Sequence, residues 1–195
     1  MPRKRKNTGI SCTSTDCKNG LHCFRATKEM VAQDLVGRCR ECGAELIDWP
    51  RVHQCNINDV EYTFNALKYE RVRHHFWHQR LTQRAINHAK RKGKHGIRDR
   101  VRHHLEGVIG PAQPFHDGFQ TTMDDQSPTA VPFGQHATAT CCRKCVEYWH
   151  GIPMGRVLSK DELDYFTELV CLYIEDRIPS LTDDGERIPP IRKRS

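Results

Sequence analysis

From residue 60 onward the apolar positions recur at helical spacing. Val60, Phe64, Leu67 and Val72 make a first series, and the pair Asn58 and Glu61 fits a capping box ahead of it. The pattern predicts one long helix over 59–92 that Gly93 stops, and a second over 96–108 with Ile97, Val101, Leu105 and Val108 on one stripe and Gly110-Pro111 as its end. Residues 111–134, rich in Pro, Gly, Asp and Thr, are expected to be mostly loop. Thr140 is placed to cap a short helix through Cys145 and Trp149, closed by Gly151 and Pro153. Ser159 and Glu162 have capping-box spacing and open a last helix over 160–177, which buries Leu163, Phe166, Val170 and Ile174.

Residues 11–57 have a different texture. They are rich in Cys, Gly and polar residues with short apolar runs, as in short strands held together by a metal. The expected fold class is α+β, mainly α: a basic flexible lead (1–10), a zinc ribbon (11–57), a helical domain of about four helices around a second Cys/His site (58–178), and a flexible Pro-rich tail (179–195).

Ten cysteines accompany this pattern, and hydrophobic residues make up only 37% of the 195. Metal–ligand bonds stabilise modules whose apolar burial is too small. The start MPRKRK lacks the apolar run of a secretory signal, and no run is long enough to span a bilayer. A cytoplasmic protein is therefore expected, in which cysteines serve metal rather than disulfides.

Two Cys clusters stand out. In the first, Cys39 and Cys42 form a Cys-x2-Cys element ending in Gly43, whose backbone N–H groups approach the thiolates. Cys12, Cys17 and Cys23 compete for the two remaining places. Cys17 and Cys23 are preferred because Lys18-Asn19-Gly20 supplies a turn between them, and His22 is a possible substitute for Cys23. Four closed ligands make this a structural site.

The second cluster lies in QHATATCCRKCVEYWHGIPMGRVL, residues 135–158. Cys142-x2-Cys145-x4-His150 is spaced as the first three ligands of a zinc knuckle, but Gly155 stands where the last Cys would be. His136 is the favoured fourth ligand, with Cys141 and the more distant Cys171 as alternatives. Mixed His and Cys ligation suits zinc better than an iron–sulfur cluster. The deaminase pattern of His-x-Glu with Pro-Cys-x2-Cys is absent. On a catalytic reading Asp117 and Gln120, on a Gly-containing loop, or Glu147 would handle protons or orient substrate; Asp117 and Gln120 also suit a plain turn.

These runs, together with PAQPFHDGFQTTM, resemble a bacterial family of small proteins defined only as a domain of unknown function. The resemblance covers about 60–177 and marks Asp117, Gly118, Gln120, His136, Cys141, Cys142, Cys145, Trp149, His150 and Arg156 as motif positions. It implies a site without naming its chemistry, with the N-terminal ribbon as an addition to the family core.

Charge alters the picture once more. Residues 68–104 carry twelve Lys and Arg against Glu70 and Asp99, a net of +10 against +7 for the whole chain, together with seven histidines. Arg71, Arg73, Arg80, Arg84, Lys90, Arg91, Lys92 and Lys94 form the densest part. Such asymmetry is the footprint of phosphate-backbone binding, and Phe76 and Trp77 are placed to stack on bases. His74 and His78 share one helix face without the Glu of a His-Glu-x2-His metalloprotease. The expected function is a zinc protein, with two ions, that binds DNA or RNA through this basic region. The alternative is a zinc-dependent hydrolase acting on nucleic acid. A third reading, a subunit of a larger assembly, would use Tyr165, Tyr173 and the Pro-rich tail as docking surface.

Overall fold

The computed structural model describes residues 10–115, 117–118 and 127–189. Gln120, residues 1–9 of the basic lead and residues 190–195 of the tail lie outside them. The described chain is mainly helical: α1 (Lys28–Ala32), α2 (Trp49–Val52), α3 (Val60–Ala66), α4 (Arg71–Trp77), α5 (Gln83–Val108), α6 (Val131–Ala137), α7 (Arg143–His150) and α8 (Lys160–Arg177). Helix α5 packs along α8, α4 against α6, and α6 against α8. No helix among the described residues is long and apolar enough to cross a membrane.

Helix α8 forms as its sequence dictates. The Ser159 hydroxyl accepts the Glu162 amide, the Glu162 carboxylate accepts the Ser159 amide, and Leu163, Phe166, Val170 and Ile174 are buried. The Asn58–Glu61 capping box does not form. Asn56 instead caps a 3-10 turn over Ile57–Asp59.

The expected helix over 59–92 is broken into α3, a 3-10 turn at Leu67–Tyr69, α4, and the first part of α5. Glu70 causes the first break. Its backbone is extended, and the flanking residues pair with the N-terminal segment through His22 N to Tyr69 O (2.7 Å) and Arg71 N to His22 O (2.8 Å). At Gly93 (φ 66°, ψ 178°) the chain kinks within α5. A Cβ there would lie 2.4 Å from the Asp184 carbonyl carbon, so only glycine admits the passing backbone. Lys94 N and His95 N, freed by the kink, donate to Thr182 O and Asp183 O, and Glu186 N donates to Lys90 O. Residues 182–186 are thus tied to α5 rather than forming a loose tail.

Residues 131–137, expected as loop, form α6. Residues 11–57 form no strand ladder; their bridges are single residue pairs, Asp16 with Leu21 and His22 with Glu70. Helix α1 joins the Cys17–His22 and Cys39–Cys42 loops and α2 follows them, so the expected ribbon is not shown. One hydrophobic cluster runs through both parts of the chain, with Phe24, Ile47 and Val52 joining Trp149, Phe166 and Tyr173. Its centre is aromatic: Trp149 meets Trp49 at 5.1 Å and Phe24 edge-on at 6.2 Å between ring centroids. Tyr165 and Tyr173, considered as docking surface, are buried in this core.

Candidate metal centres

Two groups of side chains can hold metal ions. In the first, Cys17, His22, Cys39 and Cys42 bring their ligand atoms within 4.8 Å of one another. Cys17 Sγ lies 3.7 Å from Cys39 Sγ, and Cys42 Sγ lies 3.4 Å from His22 Nδ1. A tetrahedral zinc with ordinary Zn–S and Zn–N bonds has edges of about 3.8 Å between two sulfurs and about 3.5 Å between sulfur and nitrogen. Both separations fit a single ion.

Local structure builds this group from two turns. The 3-10 turn Cys17–Asn19 ends at left-handed Gly20 and delivers Cys17 and His22 from its two sides. The second turn closes through Gly43 N to Cys39 O (2.8 Å) and Cys39 N to Ala44 O (2.9 Å). Cys39 is held down at about 6: burial opposes its ionisation, but bonds from the backbone at Cys42, Cys23 and Glu41, and the His22 side chain, outweigh it. Cys17 is pushed up to about 12 by burial and by its bonds to Cys42 and Cys39. One thiolate surrounded by proton-sharing partners is the state that a cation replaces, releasing the protons.

Cys23 is not in this group. It is fully buried, and its thiol donates to Cys12 O at 3.5 Å. Along an extended segment successive side chains face opposite sides, so His22 and Cys23 cannot both face the ion. The structure gathers His22 where Cys23 was preferred.

The second group is Cys141, Cys142 and Cys145, again within 4.8 Å of one another. Thiolates that serve different irons of a cluster stand further apart, so this spacing suits one ion. Cys145 is held well below the usual thiol range by bonds from the Cys141 and Cys142 thiols, with Arg73 and Arg25 adding to the effect against burial. Arg73 Nη2 donates to Cys145 Sγ at 3.4 Å and Arg25 Nη2 at 3.8 Å. Cys141 is pushed well up by those same thiol bonds and by burial. Cys142, on which the Cys141 bond acts downward, is pushed up to about 11 by Cys145 and burial.

A buried network supports these thiols. Arg73 is 1% exposed and Glu70 0%. Glu70 accepts from Arg73 Nε (2.9 Å), Tyr148 Oη (2.7 Å) and Trp149 Nε1 (2.6 Å), while Arg73 Nη1 donates to His136 O (2.6 Å). Glu70 was not recognised from sequence as part of a site, and Arg73 was expected on the nucleic-acid face rather than beside the thiols. Glu70, one of only two carboxylates among the clustered bases of 68–104, was the available signal.

His136 and His150, expected as ligands, stand outside this group. The His136 ring lies on Phe76, 4.6 Å between centroids. His150 is fully buried, and its Nε2 lies 3.1 Å from Thr138 O. A carbonyl only accepts, so Nε2 carries the proton. Burial holds His150 down at about 3, against the Thr138 bond and helped by Arg73 and His53. It is a neutral structural imidazole that ties α7 to the turn at Thr138–Ala139–Thr140. Cys141 therefore takes the place given to the histidines.

Asp117 Oδ1 accepts the Arg143 amide at 2.9 Å and caps α7, whose flanking residue is Cys142 rather than Thr140. Gly118 lies against Cys142, 3.2 Å from where its own Cβ would stand to Cys142 Cβ. Glu147 Oε1 accepts Met154 N. Trp149 and Arg156 also serve the fold, Arg156 through a bidentate pair with Glu162.

Of the eight basic residues expected to contact nucleic acid, Arg73 is buried in the network above, and Lys94 pairs with Glu175 (3.5 Å) and Asp183 (3.3 Å). Arg80, Arg84, Arg91 and Lys92 are exposed, and Arg71 and Lys90 half-buried. Trp77 is buried edge-on against Phe64 and Tyr173, which removes it as a stacking platform.

No solved structure matches the chain. A family model described as Domain of unknown function (DUF4186) matches residues 61–175, which hold the three-thiol group and α3 to the greater part of α8, while the Cys17–Cys42 group precedes them. With more than half of its length matched, the chain belongs to this family of domains of unknown function.

Proposed function

We propose that this is a zinc-binding protein that binds nucleic acid through the exposed basic face running from Arg80 along α5. Zinc suits the donors: three cysteines and a histidine at the first group, and three thiols at the second. Both centres hold the fold in this reading, because the two loops of the first contain little regular structure and the second anchors the start of α7.

The observation that carries the nucleic-acid reading is a run of unneutralised charge. Arg98, Arg102 and Lys94 are paired with carboxylates of α8 and the segment beyond it. Arg80, Arg84, Lys90, Arg91, Lys92 and Arg100 have no ion pair among the described residues, and all but half-buried Lys90 are exposed. Such a row suits phosphates spaced along a strand, and each neutralised phosphate releases counterions. Fluorescence anisotropy with DNA and RNA oligonucleotides across a salt series is the test. Binding is expected to weaken steeply with salt. Arg84→Ala/Arg91→Ala/Lys92→Ala should lower affinity for all sequences alike and reduce the log–log salt slope by about 2–3. Affinity indifferent to salt would contradict the reading.

The zinc-dependent hydrolase reading has one observation in its favour: three protein ligands among the described residues is the number a catalytic zinc keeps. It stands second because Asp117 and Glu147 both spend a carboxylate oxygen on backbone amides.

A further inference from the structure

A cleft of about 500 Å³ opens on the side of α4, lined by Lys68, His74, Trp77, His78, Asp176 and Arg177. It belongs to neither metal centre. Its lining brings the side chains of Lys68, His74, His78 and Arg177 around one space beside the Trp77 indole.

His74 and His78 stand one helical turn apart with ring centroids 4.3 Å from each other. Lys68 Nζ sits 4.9 Å from the centre of the Trp77 ring and gives one bond to Asn65 Oδ1 at 3.2 Å. An ammonium has three donors, so two remain for a ligand. Arg177 is fixed at the mouth by donating Nη1 to Trp77 O and Nη2 to Gln79 O, which holds its charge in place. Asp176 is the one carboxylate on the wall, and its Oδ2 already accepts from Trp77 Nε1 at 2.9 Å.

We propose that this cleft binds a phosphate group, with His74, His78, Lys68 and Arg177 as its cationic and hydrogen-bonding wall. Among the described residues no carboxylate pairs with either imidazole, so both rings are free to donate to an anion whose charge Lys68 and Arg177 balance. A divalent cation is the competing ligand for a histidine pair. It is disfavoured by the lysine and arginine in the same cleft, and His74, His78 and Asp176 do not gather their ligand atoms within 4.8 Å of one another. The proposal is independent of whether the α5 face binds nucleic acid.

Binding is pH-dependent, with the sign set by the imidazoles. Burial holds His74 below its ordinary value, helped by His78, Arg71 and His75. The charged groups that face the pair are Arg71 and His75 from α4, Lys68 from the preceding turn, and Asp176 and Arg177 from α8. A dianion favours the protonated rings; inorganic phosphate is itself protonated over the same pH range, so the sign is read with sulfate, which stays a dianion and binds more tightly as pH falls.

The test uses the full zinc-loaded chain, inorganic phosphate and sulfate as the probes, and histidine-ring NMR with calorimetry as readouts. Saturable shifts of the His74 and His78 resonances are expected with phosphate, and sulfate should bind severalfold more tightly near pH 6 than near pH 8. His78→Ala, at an exposed position, should weaken binding about tenfold without unfolding the chain. Asp176→Asn keeps an acceptor for the Trp77 indole while removing a negative charge, so it should tighten phosphate binding severalfold. No saturable shift, a pH-independent sulfate affinity, or weaker phosphate binding in Asp176→Asn would overturn the proposal. So would binding of Ni²⁺ or Zn²⁺ at the pair with none of phosphate.

A second arm separates the source of the phosphate. Preference for a 5′-phosphorylated over a 5′-hydroxyl oligonucleotide, lost in His78→Ala, assigns the terminal phosphate of a nucleic acid. Equal affinity for the two oligonucleotides with inorganic phosphate binding retained assigns a free phosphorylated small molecule. Arg84→Ala/Arg91→Ala/Lys92→Ala leaves inorganic phosphate binding unchanged in either case, which keeps the test separate from that of the α5 face.

Discussion

At the scale of single residues, the first metal centre turns on which of two neighbours faces the ion. His22 points to Cys17, Cys39 and Cys42, while Cys23 points to Cys12. His22→Ala is expected to remove one zinc per chain, and Cys23→Ser to retain it, measured by elemental analysis of the purified variants. Cys39 and Cys42 were legible because Cys-x2-Cys-Gly fixes its own turn. The choice between His22 and Cys23 was not, because it depends on the direction of an extended segment that pairs with Glu70, far away in sequence. His150 gives a second residue-scale prediction. Its folded value, about 3, is depressed from the ordinary 6.5, so the unfolded chain binds the extra proton. Its contribution to stability is complete above about pH 6.5 and is lost as pH falls towards 3. Thermal melts from pH 7 to pH 5 should therefore show falling stability, and His150→Gln, which keeps a donor for Thr138 O, should show a shallower fall. An unchanged slope would mean that His150 does not stay neutral in the fold.

At the scale of elements, α8 was legible to its ends because both its caps and its apolar stripe are local. The segment 59–92 was not. Its apolar spacing is helical throughout, and the break comes from Glu70, whose carboxylate is drawn into the core by Arg73, Tyr148 and Trp149. The gain from those long-range bonds overrides local helical preference. A buried ion pair is sensitive to loss of one partner. Arg73→Met is thus expected to destabilise the protein by about 3–5 kcal/mol in chemical denaturation. The double variant Glu70→Gln/Arg73→Met should fall short of the sum of its two single effects. Additive losses would show that the pair does not act as a unit. Helix α6 was missed for a related reason: Pro132 and Gly134 look like loop residues, yet Pro suits a first helical turn and Gly134 lies 2.9 Å, measured from its would-be Cβ, from Val170 of α8.

At the scale of the whole molecule, the two metal centres share one mechanical link. His22, a donor of the first, is hydrogen-bonded on both backbone sides to residues 69 and 71. Two residues further on, Arg73 reaches Cys145 of the second, and Arg25 reaches it from the N-terminal segment. Loss of the first ion should therefore loosen the second. Cys42→Ser is expected to release its remaining zinc to a chelator faster than the unmodified chain releases either ion; equal rates would show the centres to be uncoupled. The contrast between a Cys-rich N-terminal segment and the helical remainder was visible in composition, but their common aromatic core was not, since Phe24, Trp49 and Trp149 meet only in three dimensions. The claim on which the rest stands is that each Cys/His group holds one ion. Zinc content per chain, measured on the unmodified protein and on Cys42→Ser and Cys145→Ser, tests it directly. Two zinc ions per chain, with one lost in each variant, is the predicted result; less than one ion per chain, or a content that neither variant changes, would contradict it.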